Sequence, residues 1–452
     1  VQHYLEVGSM FGPVRKGAWA IVAVWIVQRA ALGQQELAWP PRLPGGKELV
    51  TVQSPELLRA PGPLLPGTAV AKTPPRVDVL YYPRQDYPGK PWSNWGDSLF
   101  AGGKFYSAIG DHLAPNGNAY VYEYDPQTQK LRCVVSLQDI LKIPQGHYAP
   151  GKIHSRLDLG SDGWLYFSTH RGSTRVTSDQ YHYQGDWILR YHPQQEVTEI
   201  VCQAPAGKQC IPTSVLDPER LIFYGGTAPA TGEEGPNTFF AYDVKNRKLL
   251  HASKPGAYRY FIFARSTGRV YYTPSDDEPL RRFDPAVGKP ELTETVIGLR
   301  AATQETPQGI VYTVSRDGVL YAFDVKTEKA RELGSALVGT QGYITTLDAD
   351  PTGRYLYYAP GAHGGAYRDG TPVVQYDTKT GQRKVIAFLH PVLQKETGWA
   401  PIGTYGLAVD DTGSRIYVAW NGNRGGERRG RLDFDTCAMT VIHVPESERP
   451  AE

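Results

Sequence analysis

Short runs of alternating apolar and polar side chains, broken by Gly, Asp and Pro turns, recur along most of this chain. The run from Lys152 to Pro193 sets the pattern: KIHSRLDL, a GSDG turn, WLYFSTHRG, a polar loop, then DWILRYHP. A period of two with turn residues at the breaks predicts β-strands. One element is a turn followed by an apolar-aromatic strand. It appears as GGKFYSAIG, SDGWLYFST, PERLIFYGG, TGRVYYTP, PQGIVYTVS, TGRYLYYAP and TGSRIYVAW. A second element is a strand ending in an aromatic and usually Asp, then a polar turn and another strand. Its copies run from YVYEYDPQTQKLRCVV to RLDFDTCAMTVIHV, one after each copy of the first element. Ahead of the turns lie further strands such as IHSRLDL, RYFIFAR, YITTLDAD and YGLAVDD. Each unit thus has four strands, A to D, and units recur roughly every 40 to 65 residues, the spacing of propeller blades with loop insertions. The expected fold is all-β, a seven-bladed β-propeller of four-stranded antiparallel blades; an open pair of β-sandwiches is the rival. No long amphipathic helix pattern interrupts the strands, and only Ser136 to Leu141 reads as a helical turn.

That architecture assigns places to side chains. Strand A lines a central channel, the short A–B hairpins gather on one face, and the starts of strand A and the B–C loops gather on the other. Function concentrates on loops held by a rigid scaffold. The second face is expected to collect Asp111 and His112 from blade 1, and His154, Arg156, His170 and Arg171 from blade 2. Blades 3 to 5 are expected to add Tyr224, Arg259, Tyr260, Thr303 and Gln304. Blades 6 and 7 are expected to add Gln341, Tyr343, His363, Tyr405, Asn421, Asn423 and Arg424. With the blade 2 turn centred near Asp162, His154 and His170 fall opposite each other and share a face. A metal, if one is held, is expected on His112, His154, His170 or His363, because neutral imidazoles suit zinc, copper or iron; its presence and identity stay open.

Composition narrows the partners. A net charge of +2 over 452 residues offers no reason to expect nucleic acid or an acidic membrane surface. The 29 Tyr and 9 Trp suit half-buried sheets and equally sugar-stacking surfaces. The four cysteines form no CxxC or CxxCH pattern; Cys202 and Cys210 either pair or stay buried as free thiols. Arg15 and Lys16 precede the apolar run GAWAIVAVWIV and the small residues Ala31-Leu32-Gly33, the layout of a signal peptide over residues 1–33. An uncleaved anchor is the alternative. The expected organisation is therefore an exported, periplasmic or extracellular monomer. Its parts are a leader at 1–33, a Pro/Gly-rich linker and lead-in strand at 34–93, a propeller at 94–445 and a tail at 446–452.

The repeat set, from Asn94 to Pro445, resembles the secreted bacterial seven-bladed propellers. The arrangement of His, Tyr and Arg at the channel mouth is similar to the propeller polysaccharide lyases of the ulvan-lyase and oligogalacturonate-lyase types. That resemblance implies catalytic roles for His154, His170, Tyr224 and Arg259. The His-x-His metal pattern associated with the oligogalacturonate type is missing. Without catalysis, the same face is expected to be a binding module for an anionic glycan or another anionic small ligand. Its ligand-binding residues would be Arg156, Arg171, His112, Gln304, Tyr343, His363, Tyr405, Asn421 and Arg424. A metal-dependent hydrolase or oxidoreductase is a third reading. Arg156 carries an alternative of its own, an ion pair with Asp158 that would make it structural.

Overall fold

The computed structural model describes residues 37–449, so the leader expected over residues 1–33 lies outside the described residues. Seven sheets follow one another around a ring, each built on four antiparallel strands from an inner strand A to strand D. The A strands are Leu99–Ala101, Asp158–Leu159, Cys210–Asp217, Ile262–Ala264, Ala301–Ala302, Leu347–Ala349 and Ala400–Val409. The fold is the seven-bladed β-propeller that the repeats predict. Among the described residues no helix is long and apolar enough to cross a membrane.

Burial follows position in the blade. Strand B of blade 6, Tyr355–Tyr358, is buried at every residue because neighbouring blades cover both of its faces. Strand D of blade 4, Pro290–Val296, alternates between half-buried and exposed because it lies on the rim. The abundant aromatic residues fill the gaps between blades. Tyr417 stacks on Phe100 and Phe105 at ring separations of 5.2 and 5.3 Å, joining the last blade to the first. Phe239 stacks on Tyr272 at 4.5 Å between blades 3 and 4. Such pairs add about 0.5–1.5 kcal/mol each beyond the area they bury.

Two sequence expectations need correction. The last copy of the second element, RLDFDTCAMTVIHV, is not a strand pair. Its first residues form a loop, and Thr436–His443 is strand C of blade 7. Strand D of that blade is Arg76–Tyr81, from the other end of the chain, with Val77 opposite Ile442 and Val79 opposite Thr440. An unpaired strand C would expose a row of backbone donors and acceptors; the early strand supplies them and locks the ring shut.

The Pro/Gly-rich stretch at 34–76, expected as a linker with little fixed structure, is ordered from residue 37 on, and the lead-in strand expected at Val77–Tyr82 is present as Arg76–Tyr81. Val50–Val52 extends blade 7 by pairing with Arg76–Tyr81, and Thr68–Val70 extends blade 6 by pairing in parallel with Arg383–Phe388. Leu57 and Trp92 are fully buried. The segment has no sheet of its own, so it carries no internal alternation to read; its backbone is satisfied by blades made elsewhere in the chain. The tail is tied in as well. Buried Glu448 accepts from the Lys72 backbone N–H and from Lys384 Nζ, both at 2.7 Å.

The helical turn read at Ser136 to Leu141 is present as Leu137–Leu141, and a second turn, Val392–Thr397, has no counterpart in the sequence reading. All four cysteines are free thiols. Cys202 is the next-to-last residue of strand D of blade 2, Val197–Gln203, and Cys210 begins strand A of blade 3.

Candidate functional site

The blade 2 hairpin is the starting point. Asp158 pairs with Tyr166 and Leu159 with Leu165, a register that would place His154 opposite His170. The chain slips before it gets there: His170 bridges to Lys152, and its N–H donates to the Lys152 carbonyl at 2.9 Å. The two histidines still meet, edge to face, with ring centroids 5.4 Å apart. His154 Nδ1 donates to the Pro212 carbonyl at 2.9 Å, which leaves its Nε2 lone pair free.

Trp95 is the hub of this end of the channel. Its ring lies 4.7 Å from Tyr405, 5.6 Å from His112, 6.0 Å from His363 and 6.3 Å from His154. His363 stacks on Tyr343 at 4.6 Å and hydrogen-bonds the Tyr405 hydroxyl. Lys152 Nζ sits 5.1 Å from the Trp95 ring, and buried Arg300 lies over Tyr343 and Tyr405 while its Nε donates to Tyr343 Oη at 2.7 Å. Arg259 lines the same space as Trp95, His154, Arg300 and Tyr405. Arg171, next to His170, donates to the Pro229 carbonyl. Among the described residues Lys152, Arg171, Arg259 and Arg300 have no carboxylate partner. Arg259 and Arg300 also line a space of about 70 Å³ with Asp276, Arg316, Tyr343 and His363. Tyr343 and His363 line in turn a cavity of about 410 Å³ whose wall includes Gln341, Arg368, Arg431, Asp433 and Phe434.

Burial, with these cations adding to it, sets the local protonation. Burial, reinforced by Lys152, pulls His112 down to about 3 and holds His154 well below the ordinary imidazole value. Burial does the same to His170, with the like charge of Lys152 adding to it. Burial and the Arg171 charge bring Lys152 itself down to about 8. At neutral pH the three imidazoles are uncharged, and the positive charge resides on the lysine and the arginines.

The opposite end of the channel is acidic. Arg156 is there, 3.6 Å from Asp158 and over the Tyr260 ring, beside Asp97 and Asp348. Asp97 accepts hydrogen bonds from Tyr260 and Thr346. Burial raises Asp97 and Asp158 and pushes Asp348 up to about 7. A second cavity of about 410 Å³, with Asp97, Glu305, Asp348, Asp350, Asp410 and Asp411 in its wall, opens on that side. Between the two ends the channel narrows to a space of about 20 Å³ bounded by Trp95, His154, Arg156, Tyr260, Arg300 and Tyr405.

His112, His154, His170, Arg171, Arg259, Gln341, Tyr343, His363 and Tyr405 therefore gather at one mouth. Tyr260 and Thr303 stand toward the acidic end, buried Asp111 accepts from Tyr87 and the Asn118 N–H, and Asn423 donates to the Asp433 carbonyl. Five more sequence candidates also stand elsewhere. Arg156 is at the acidic end, ion-paired as its alternative reading had it. Gln304 stands at the acidic cavity too, because it follows strand A into the A–B turn. Tyr224 is fully buried between blades 3 and 4 against Phe239 and Phe283, since its side of strand B faces a neighbouring sheet. Asn421 is buried in hydrogen bonds to the Asn94 backbone. Arg424 packs over Trp39 and donates to the Thr436 hydroxyl and the Ala38 carbonyl. The positions missed from sequence are Trp95, Lys152 and Arg300. One signal was present: Trp95, His154 and Tyr343 each stand four residues before the start of their strand A.

No known family model matches the chain, and no curated protein matches it in sequence. Among solved structures, one titled "Structure of U3-55K" superposes with a TM-score of 0.46 at 10% identity, covering 78% of this chain and 96% of that one. The molecule is defined by its own sheet topology, a ring of seven blades. What it binds has to be read from the site itself.

Proposed function

We propose that the protein is a binding module for an anionic ligand, an acidic glycan, which it takes at the histidine-bearing mouth. The observation that carries this reading is the convergence of Lys152, Arg171, Arg259 and Arg300 with no carboxylate partner among the described residues. Unpaired cations held together in a partly dry site are costly, and a carboxylate or sulfate offsets that cost. Phe434 in the cavity wall, with Trp95 beside it, offers aromatic surface for a sugar ring near the charges. Titration calorimetry with uronate oligosaccharides and with neutral glycans of the same linkage tests it. Binding of the uronate series that weakens as salt rises supports the reading; equal binding of the neutral series, or binding of neither, overturns it.

A second reading, a lyase acting by β-elimination on a uronate-containing chain, is favoured by one observation. His154 presents a free Nε2 lone pair within reach of the Tyr405–His363 pair, with ring separations of 6.2 Å to Tyr405 and 3.0 Å between the Tyr405 hydroxyl and His363 Nδ1. In that reaction the arginines neutralise the uronate carboxylate, His154 Nε2 takes the C5 proton, and the C4–O bond breaks. The leaving oxygen takes its proton from the Tyr405 hydroxyl. Appearance of the unsaturated product in the near ultraviolet measures it. No product across a panel of bound uronates leaves the binding reading alone.

A further inference from the structure

Behind the channel wall, three buried side chains with metal-binding chemistry meet. His170 follows strand B of blade 2, Asp186 precedes its strand C, and Cys210 opens strand A of blade 3. One ring nitrogen, one carboxylate oxygen and the sulfur all lie within 4.8 Å of one another. Asp186 and Cys210 are completely buried and His170 is 7% exposed. The His170 Nδ1 is a buried nitrogen with no hydrogen-bond partner among the described residues. A buried polar atom left without a partner costs about 1–3 kcal/mol, so its retention points to a group that engages it.

We infer that His170, Asp186 and Cys210 hold a zinc ion that pins the long B–C loop of blade 2 to the first strand of blade 3. The donor set selects the metal. One nitrogen, one sulfur and one oxygen suit a borderline-soft cation such as zinc, whereas magnesium and calcium take oxygen alone. The surroundings resemble an outer shell that orients a ligand. The Tyr148 hydroxyl donates to both Asp186 oxygens at 3.1 and 3.2 Å, the Tyr183 hydroxyl donates to one at 3.1 Å, and Thr169 Oγ1 donates to the other. Such partners fix a carboxylate's direction and are a regular part of metal sites. Binding exchanges the Cys210 S–H proton for a sulfur–zinc bond. The dipositive ion then faces one thiolate and one carboxylate, a neutral set that Lys152 and Arg171 nearby do not repel. Three protein ligands leave a fourth position for water. The consequence for the mouth is positional: with His170 fixed from behind, the ring of His154 packed against it is fixed too.

This inference does not rest on the anionic ligand, and its test has no need of one. The full chain is produced without a polyhistidine tag, exposed to excess zinc and dialysed, and its metal is measured by elemental analysis. The expected result is about one zinc per chain, lost in Cys210→Ser and in Asp186→Asn and retained in Cys437→Ser. Wild-type melting should fall by about 5 °C or more when a strong chelator strips the ion. If Cys210→Ser fails to fold, cobalt loaded into chelator-treated wild type takes its place, and a sulfur-to-cobalt charge-transfer band is expected. Wild type that keeps no zinc, gives no such band and melts alike with chelator and with zinc overturns the site.

Discussion

Asn94 and Asn421 clasp each other across the seam where the last blade meets the first. The Asn94 N–H donates to Asn421 Oδ1 at 2.6 Å, and the Asn421 amide donates back to the Asn94 carbonyl at 3.0 Å. The Asn94 side chain in turn donates to the Gly96 and Ala108 carbonyls and accepts the Tyr405 N–H at 3.2 Å. This clasp holds the backbone on which Trp95 stands and the backbone of Tyr405. Asn421→Ala removes two buried hydrogen bonds and strands both Asn94 groups, so a loss of about 2–4 kcal/mol in stability is expected by denaturant titration. Ligand affinity should fall as well, because Trp95 loses its seat, although Asn421 itself is buried away from the channel.

The two arginines Arg300 and Arg424 should behave oppositely. Arg300→Met removes a buried cation from the mouth and is expected to weaken uronate binding by about tenfold or more, roughly 1.4 kcal/mol. Arg424→Met should leave affinity unchanged and lower the melting temperature, since that side chain is a bracket between Trp39 and the Thr436 hydroxyl. Calorimetry and thermal melting on both variants check the contrast. Equal loss of affinity in both would remove the distinction between mouth and scaffold.

Tyr224 offers a test in the stabilising direction. Its hydroxyl is buried with no partner among the described residues, and its ring packs on Phe239 and Phe283. Tyr224→Phe keeps the ring and deletes an unsatisfied polar group, so the variant should melt at the same temperature or a few degrees higher. Binding and any turnover should match wild type.

The acidic end of the channel predicts a pH dependence. Asp348 accepts the Val409 and Ala349 N–H groups at 2.9 Å each, and burial, with Asp97 adding to it, pushes its carboxyl from 3.8 to about 7. The folded state therefore keeps a proton that the unfolded chain releases. That contribution to stability is fully present below the unfolded value and is lost as pH rises through the folded one. Asp97 and Asp158 shift in the same direction, Arg156 opposes them, and Glu305, Asp350, Asp410 and Asp411 line the same cavity. Asp348→Asn cannot titrate. Relative to wild type it should gain several degrees of melting temperature between about pH 5 and pH 8. A difference that does not change with pH would refute the assignment.

Arg156→Ala probes the same end. Removing the guanidinium leaves three half-buried aspartates, Asp97, Asp158 and Asp348, without their central cation, and a loss of about 2–3 kcal/mol is expected. Uronate affinity should persist in the fraction that remains folded.

Much of the mouth was legible because the signals that place it are local. Each strand carries its own alternation, and each turn its own Gly or Asp, so blade membership of His154, His170, Arg259, Tyr343, His363 and Tyr405 follows from counting repeats. Tyr224 and Gln304 were misplaced for a different reason. The faces of a blade's strand both pack against neighbouring sheets, so alternation does not say which side chain reaches the channel. Gln304 shows the same limit along the strand, where one or two residues decide between a channel wall and a hairpin at the far end.

Local pattern alone determined the all-β class, the number of blades and most of the strands within them, because pleat and turn chemistry are properties of a few consecutive residues. Ring closure was decided by tertiary structure. Arg76–Tyr81 completes a sheet begun after Ala400, and no local feature marks two strands over 300 residues apart as neighbours. The charge of the site was decided there too. Lys152, Arg171, Arg259 and Arg300 come from four separate loops in a chain of net charge +2, and only the ring brings them to one mouth and their counterparts Asp97, Asp158 and Asp348 to the other end. The physical reason is that electrostatics depends on distance in space, and a closed ring makes neighbours of residues the sequence keeps far apart.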